Sequence, residues 1–375
     1  MIQSKTVLVS VINDLNTDQR VHKICTFIEQ QGYRVVLIGR KRKASAPMET
    51  RSYQTIRLRL LFEKGGLFYA EFNLRLFFLL LFKRSHILVA NDLDTLLANF
   101  LVAKLKRKKL VYDSHEFFTE VPELLNRPRT RAVWLAIERV IFPKLTHIST
   151  VNNSIALEYK QRYNKDLTVI RNVSPLWQAA SVPDKLSLGI PEGKHLLIMQ
   201  GAGLNVDRGV EEAIRMMPLL SNAVLLVVGD GDIIPEMKVL VQNNKWENCV
   251  LFFGKRPYKE LMNYTYHATI GLSFDQPTNP NYRLSLPNKL FDYIHTKTPV
   301  LCSNVIEVAN IVNNYHIGQV ITDFSPEGMA AVINPILANN ELLTSWQKNC
   351  ERAAQNENWE IESQKLIEFY PKIGK

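Results

Sequence analysis

The 375 residues exceed what one hydrophobic core usually organises, so two domains of ordinary size are expected. With 46% apolar and 22% charged residues and no low-complexity tract or fixed-period repeat, the composition excludes a disordered chain and a solenoid. A formal charge of +10 calls for an acidic partner (nucleic acid, a membrane surface or an acidic small molecule), and its distribution separates these.

The start Met1-Ile2-Gln3-Ser4-Lys5 lacks the basic head, long apolar middle and small-residue cleavage site of a signal peptide. Cys25, Cys249, Cys302 and Cys350 lie far apart, with neither CxxC nor zinc-ligand spacing, so disulfides and structural metal are not expected and a reducing cytoplasm is. Residues 6–12 read as a strand, 19–31 as a helix and 34–38 as a strand. Basic residues then cluster at 40–43, at Lys83-Arg84 and at 104–109. Between the first two clusters, residues 67–82 are rich in Phe and Leu but broken by Glu71, Asn73 and Arg75. Such a stretch is too short and too polar to span a bilayer; it predicts an amphipathic helix, either in the headgroup region of an anionic leaflet or packed on a core.

Strands at 87–90, 109–112, 147–151 and 167–170, with a helix at 93–105, continue the alternation. Continuous apolar strands interleaved with helices imply a parallel sheet covered on both faces. Residues 173–190 are polar and turn-forming, with Pro183 and Gly189, and read as a linker. A second series follows: strands at 195–199, 223–228, 250–253, 269–273 and 299–302, with helices starting at Val210, Ile234, Tyr258 and Asn288. The expected architecture is α/β: two Rossmann-like doubly wound domains, 1–172 and 191–340, facing across a cleft. The remaining 341–375 are helical and either pack on their own domain or cross back to the first.

Ligands of such sheets bind at the carboxyl ends of the strands, so the loops there are the candidates. After the first strand, Asn13, Asp14 and Arg20 lie in a polar loop without GxGxxG; it is either a capping loop with Asp18 near the helix start or the wall that meets an acceptor. His115, in Asp113-Ser114-His115-Glu116, is placed to hydrogen-bond a sugar, or is structural. In the second half, Gly201 and Gly203 allow close backbone approach to a phosphate and Arg208 offers it a fork of donors. Gly229, Asp230 and Gly231 form a tight turn on the same edge, and a base can sit near Arg256 and Tyr258. The run Leu286-Pro287-Asn288-Lys289-Leu290-Phe291-Asp292-Tyr293 puts a carboxylate one turn into a helix start, where phosphate meets the amides and Asp292 a ribose; an ordinary cap reads the same way.

Together these segments resemble GT-B glycosyltransferases, specifically family 4 of the retaining enzymes, over nearly the whole chain. The resemblance implies that the second domain binds a nucleotide-sugar donor and the first a glycan or lipid-linked acceptor. It further implies that Arg208 contacts the diphosphate, Asp292 the ribose and His115 the transferred sugar. No metal or other cofactor is expected, since Arg208, Lys289 and helix-start amides would meet the leaving charge. Two departures stand out. The first of the family's paired glutamates falls on Leu284 or Tyr282, leaving Asp275 or a neighbouring Asn to serve, and an arginine after the second domain's first strand is replaced by Ala202 or Gly203. The expected function is hexosyl-type transfer in surface polysaccharide synthesis, on the inner face of the cytoplasmic membrane. A nucleotide-sugar epimerase and a catalytically silent scaffold of a polysaccharide assembly complex are the alternatives. Nucleic acid is not an expected partner, because the basic residues lack an interleaved aromatic platform.

Overall fold

The computed structural model describes residues 5–16, 18–179 and 181–374, with side chains through 370. The start of the chain read for a signal peptide lies, apart from Lys5, outside the described residues. The chain divides into two compact units, 1–172 with 362–375, and 173–361.

In the first unit the order is β1 (Thr6–Asp14), α1 (Gln19–Gln30), β2 (Arg34–Lys41), β3 (Gln54–Arg59), α2 (Gly65–Phe82), β4 (Ile87–Asn91), α3 (Leu93–Lys106) and β5 (Lys109–Ser114). Then come α4 (Pro122–Leu125), α5 (Pro128–Ile141), β6 (His147–Thr150), α6 (Asn153–Tyr163) and β7 (Thr168–Val169). All pairings are parallel, in the order β3-β2-β1-β4-β5-β6-β7. Every residue of the central β4 is buried, which is why it reads as an unbroken apolar run. Helix α2 buries Phe68, Phe72, Leu76 and Leu80, four residues apart, the last three in the core with Leu8, Ile38 and Leu88. It is long and apolar enough to cross a membrane by composition, yet this stripe ties it to the sheet.

The second unit runs β8 (His195–Gly201), α7 (Val210–Met216), β9 (Ala223–Gly229), α8 (Ile234–Asn244), β10 (Val250–Phe252), α9 (Tyr258–His267), β11 (Ile270–Ser273), α10 (Pro280–Arg283) and α11 (Lys289–His295). It continues with β12 (Val300–Cys302), α12 (Ile306–Tyr315), β13 (Gly318–Val320), α13 (Pro326–Leu337), α14 (Asn340–Ala354) and α15 (Trp359–Glu362), whose last residue already belongs to the first unit, as does α16 (Gln364–Gly374). Its sheet is also all parallel, ordered β10-β9-β8-β11-β12-β13. In each sheet the order reverses beside its first strand, between β1 and β4 and between β8 and β11, giving each unit a topological switch point.

Two boundaries differ from the sequence reading. Residues 173–190 are part of the second unit rather than a free linker, because Val173 and Ile190 bury in its core. The tail is divided: α14 stays with the second unit, burying Leu343, Trp346, Cys350 and Ala353, while Leu366, Phe369 and Tyr370 bury in the first.

Candidate active site

In the first unit, the carboxyl ends of β4 and β5 bring a charged cluster together. Asp113, the penultimate residue of β5, is buried and takes both Nε and Nη2 of Arg20 at 3.0 and 2.8 Å, while Ser149 Oγ donates to it at 2.8 Å. Nη1 of Arg20 donates to the Ile170 carbonyl at 2.8 Å. Arg20 therefore lies inside the wall and fixes Asp113, instead of facing an acceptor with its own guanidinium. His115 sits between two carboxylates, Nε2 at 3.1 Å from Asp113 Oδ2 and Nδ1 at 3.3 Å from Asp92 Oδ2. Its backbone N–H donates to Asp92 Oδ1 at 2.7 Å, and Asn91 Oδ1 lies 3.1 Å from Nε2. Burial alone would lower the imidazole pKa, but Asp92 and Asp113 outweigh it and raise it to about 9. Burial would likewise raise Asp113, yet Arg20 and His115 hold it well below the usual carboxylate range.

Asp92 was not singled out from the sequence. It follows β4 directly and adopts φ 58°, ψ 169°, a region nearly confined to glycine, costing of order 1–3 kcal/mol. That conformation aims its carboxylate at both the backbone and the ring of His115. The strand-end rule that found His115 could have found Asp92 as well. Asn13 donates to Asp18, which also caps α1, and Asp14 accepts from Ser45 and from Arg57 Nη2 at 3.3 Å, so this loop is braced both by its own Asp18 and by residues after β2 and in β3.

In the second unit, the switch point holds a cation pair on one carboxylate. Asp275, just past β11 and 2% exposed, meets Arg208 Nη1 at 2.9 Å and Lys289 Nζ at 3.1 Å. Burial would raise the Asp275 pKa, but Lys289 and Arg208 bring it below the ordinary carboxylate value. The guanidinium of Arg208 also lies 3.8 Å from the centre of the Tyr282 ring. Asp292, in the first turn of α11, accepts from Gln200 Nε2 at 3.0 Å, Tyr258 OH at 2.9 Å and Ser174 Oγ at 3.1 Å. Gln200, missed as a site residue, completes its own pairing by accepting from Thr265 at 2.7 Å.

The glycine turns serve the chain first. The loops after β8 and β9 are stitched by Leu204 N–H to the Asp230 carbonyl at 3.0 Å and Asp230 N–H to the Gly201 carbonyl at 3.2 Å. A Cβ on Gly229 would stand 1.9 Å from the Gly201 oxygen, and one on Gly231 2.0 Å from the Leu204 oxygen. A Cβ on Gly203 would make only an ordinary contact, 3.9 Å from Asn205 Nδ2. Asn288 is exposed at the start of α11 and makes no side-chain cap, and Arg256 is exposed beside Glu260 at 4.0 Å.

Two all-parallel doubly wound sheets, each with polar residues gathered at its switch point, define the GT-B class of fold. Solved structures agree over nearly all of both chains: sucrose-phosphate synthase from Thermosynechococcus elongatus (18% identity, TM-score 0.79, 98% of this chain and 99% of that one) and WaaG, a glycosyltransferase involved in lipopolysaccharide biosynthesis (17%, 0.72, 97% and 98%). Anabaena Alr3699/HepE, solved in complex with UDP-glucose, matches at 13% identity and TM-score 0.72 over 98% and 99%. A search of curated proteins returns no match. Residues 184–353 match the family Glycosyl transferases group 1 and residues 18–173 match Glycosyltransferase Family 4. The chain belongs to the group 1 glycosyltransferases.

Proposed function

We propose that the chain moves a sugar from a nucleotide-diphosphate donor held by the second unit to a glycan or lipid-linked hydroxyl acceptor held by the first, with retention and without a metal. The bond from the anomeric carbon to the diphosphate oxygen breaks and its electron pair leaves with the diphosphate. The acceptor oxygen bonds the same carbon, and its proton passes to the departing diphosphate. Arg208 and Lys289, converging on buried Asp275 at the switch point, carry this reading, because two preorganised cations there suit a diphosphate whose charge grows as the bond breaks. Asp292 takes the ribose hydroxyls, with Tyr258 and Arg256 near the base and the Gly201–Gly203 and Gly229–Gly231 turns near the phosphates. The first unit supports the acceptor half through Asn13, Asp14 and the Arg20–Asp113–His115–Asp92 cluster, whose polar groups suit sugar hydroxyls.

The complex of Anabaena HepE with UDP-glucose favours a uridine donor, and the involvement of WaaG in lipopolysaccharide biosynthesis favours a surface glycan as product. Peripheral contact with an anionic membrane is supported by α2, whose Leu67, Leu74, Phe78 and Phe82 face outward ahead of Lys83 and Arg84. Screening UDP, GDP, ADP, CMP and their sugar conjugates by thermal shift tests the donor half. A rise in melting temperature with one diphosphate family, lost in Asp292→Ala by roughly 1–3 kcal/mol of binding, is the expected result. No response to any nucleotide would favour the silent scaffold, a reading consistent with Asp275 offsetting one of the two positive charges that it pairs with.

A further inference from the structure

Helices α2, α3 and α5 of the first unit line an open cavity of about 450 Å³ that the cluster around His115 does not use. Its size falls within the roughly 300–1,000 Å³ of small-molecule sites. Tyr69 and Ala70 of α2, Leu97 of α3, and Val133, Trp134 and Ile137 of α5 give it a largely apolar lining. Trp134 is buried, its ring edge-on to both Tyr69 and Phe118 with centroids 5.2 and 5.4 Å apart. Asn73, a polar residue in the wall, is occupied within the protein: Nδ2 donates to the Tyr69 and Asp94 carbonyls at 3.0 and 2.8 Å, and Oδ1 accepts from Ala98 N–H. The interior therefore asks for hydrocarbon.

One end of the cavity is positive. Arg129 and Thr130 line it, both exposed and both in the first turn of α5, a 14-residue helix whose N-cap Arg127 supplies no side-chain acceptor. A cation beside unfilled helix-start amides complements a phosphate. Outside the cavity, the same helix α2 exposes Leu67 at 62%, Leu74 at 59% and Phe82 at 82%, an apolar stripe unusual for a surface in water alone. The cavity is also near the candidate site. Leu97 is on α3, the helix that Asp92 begins, roughly 7–8 Å along its axis from the residue that holds His115.

We propose that this cavity takes the hydrocarbon tail of a phosphate-bearing lipid, the carrier on which the acceptor is built, with the phosphate at Arg129 and the start of α5. The assignment of that lipid as acceptor rests on the glycosyltransferase reading; the binding itself does not. Titration calorimetry on the full chain, with farnesyl phosphate, farnesol, inorganic phosphate and anionic vesicles as probes, tests it. Farnesyl phosphate is expected to bind more tightly than farnesol, and inorganic phosphate to give no saturable heat. Ala70→Trp, which fills the cavity from an exposed wall position, should weaken farnesyl phosphate at least about tenfold, the equivalent of about 1.4 kcal/mol. Arg129→Ala should reduce farnesyl phosphate to the affinity of farnesol while leaving farnesol unchanged. Both variants should keep the wild-type melting temperature and nucleotide response.

Equal affinity for farnesyl phosphate in wild type and Ala70→Trp would overturn the proposal. So would binding to anionic vesicles that Ala70→Trp leaves untouched, which would assign the face to a membrane surface alone. Tail binding without any nucleotide response would overturn the donor reading and leave the cavity standing. Nucleotide binding without tail binding would do the reverse.

Discussion

At the scale of single residues, the two clusters hold charge in opposite ways. His115 is a cation between two carboxylates, whereas Asp275 is an anion between two cations. The His115 pKa is raised to about 9 from the ordinary 6.5, so the stabilisation it adds is complete below about pH 6.5 and fades as pH rises through 9. Urea unfolding of wild type and His115→Gln should therefore differ most at pH 6 and converge near pH 9.5; a difference independent of pH would refute the pairing. In NMR, Asp92→Asn should shift the His115 titration downward, since Asp92 is the largest influence raising it. Asp275→Asn leaves Arg208 and Lys289 facing each other without their shared anion, at a cost of about 3–5 kcal/mol in the ligand-free protein. Diphosphate would relieve that repulsion, so the UDP-induced rise in melting temperature should grow in the variant. A smaller rise would mean that the two cations do not face the phosphates.

At the scale of elements, the buried strands are legible and the edge strands only in part: β7 and β10, each at an end of its sheet, are read from the sequence, and β3 and β13 are not. Strands β4 and β9 are buried end to end and announce themselves as apolar runs. In contrast β3, Gln-Thr-Ile-Arg-Leu-Arg, lies at the sheet edge with no residue fully buried, and β13, Gly-Gln-Val, has an exposed polar residue at its centre and none fully buried, so neither carries an apolar run to read. Helix α11 was legible to within a residue, but the partners of Asp292 were not, because Ser174, Gln200 and Tyr258 come from three distant segments. The tight turn read at Gly229 and Gly231 is tight against its own chain: a Cβ on either would meet the backbone at the end of β8 or in the loop after it. Gly231→Ala should accordingly cost about 1–3 kcal/mol of stability, since its methyl would meet the Leu204 backbone. Gly203→Ala, whose Cβ would make only an ordinary contact with Asn205 Nδ2 at 3.9 Å, should melt like wild type; equal losses in the two would contradict the stitched-loop geometry.

At the scale of the whole molecule, each unit has its own core, but only the second is continuous in sequence. The first unit closes with Glu362, whose carboxylate accepts from Arg171 N–H at 2.8 Å and Arg171 Nε at 3.2 Å, followed by buried Leu366, Phe369 and Tyr370. Deleting 362–375 should lower the melting temperature of the first unit and leave nucleotide binding by the second unchanged, measurable by calorimetry with and without UDP. Loss of nucleotide binding would show that the second unit depends on the segment. The same connectivity sets an order on the ribosome. Roughly 190 residues separate the break after Asn172 from the return at Glu362, some 10–40 s of synthesis at about 5–20 residues per second. Throughout that interval the nascent first unit must wait with the surface for α16 uncovered, while the second unit can finish folding ahead of it.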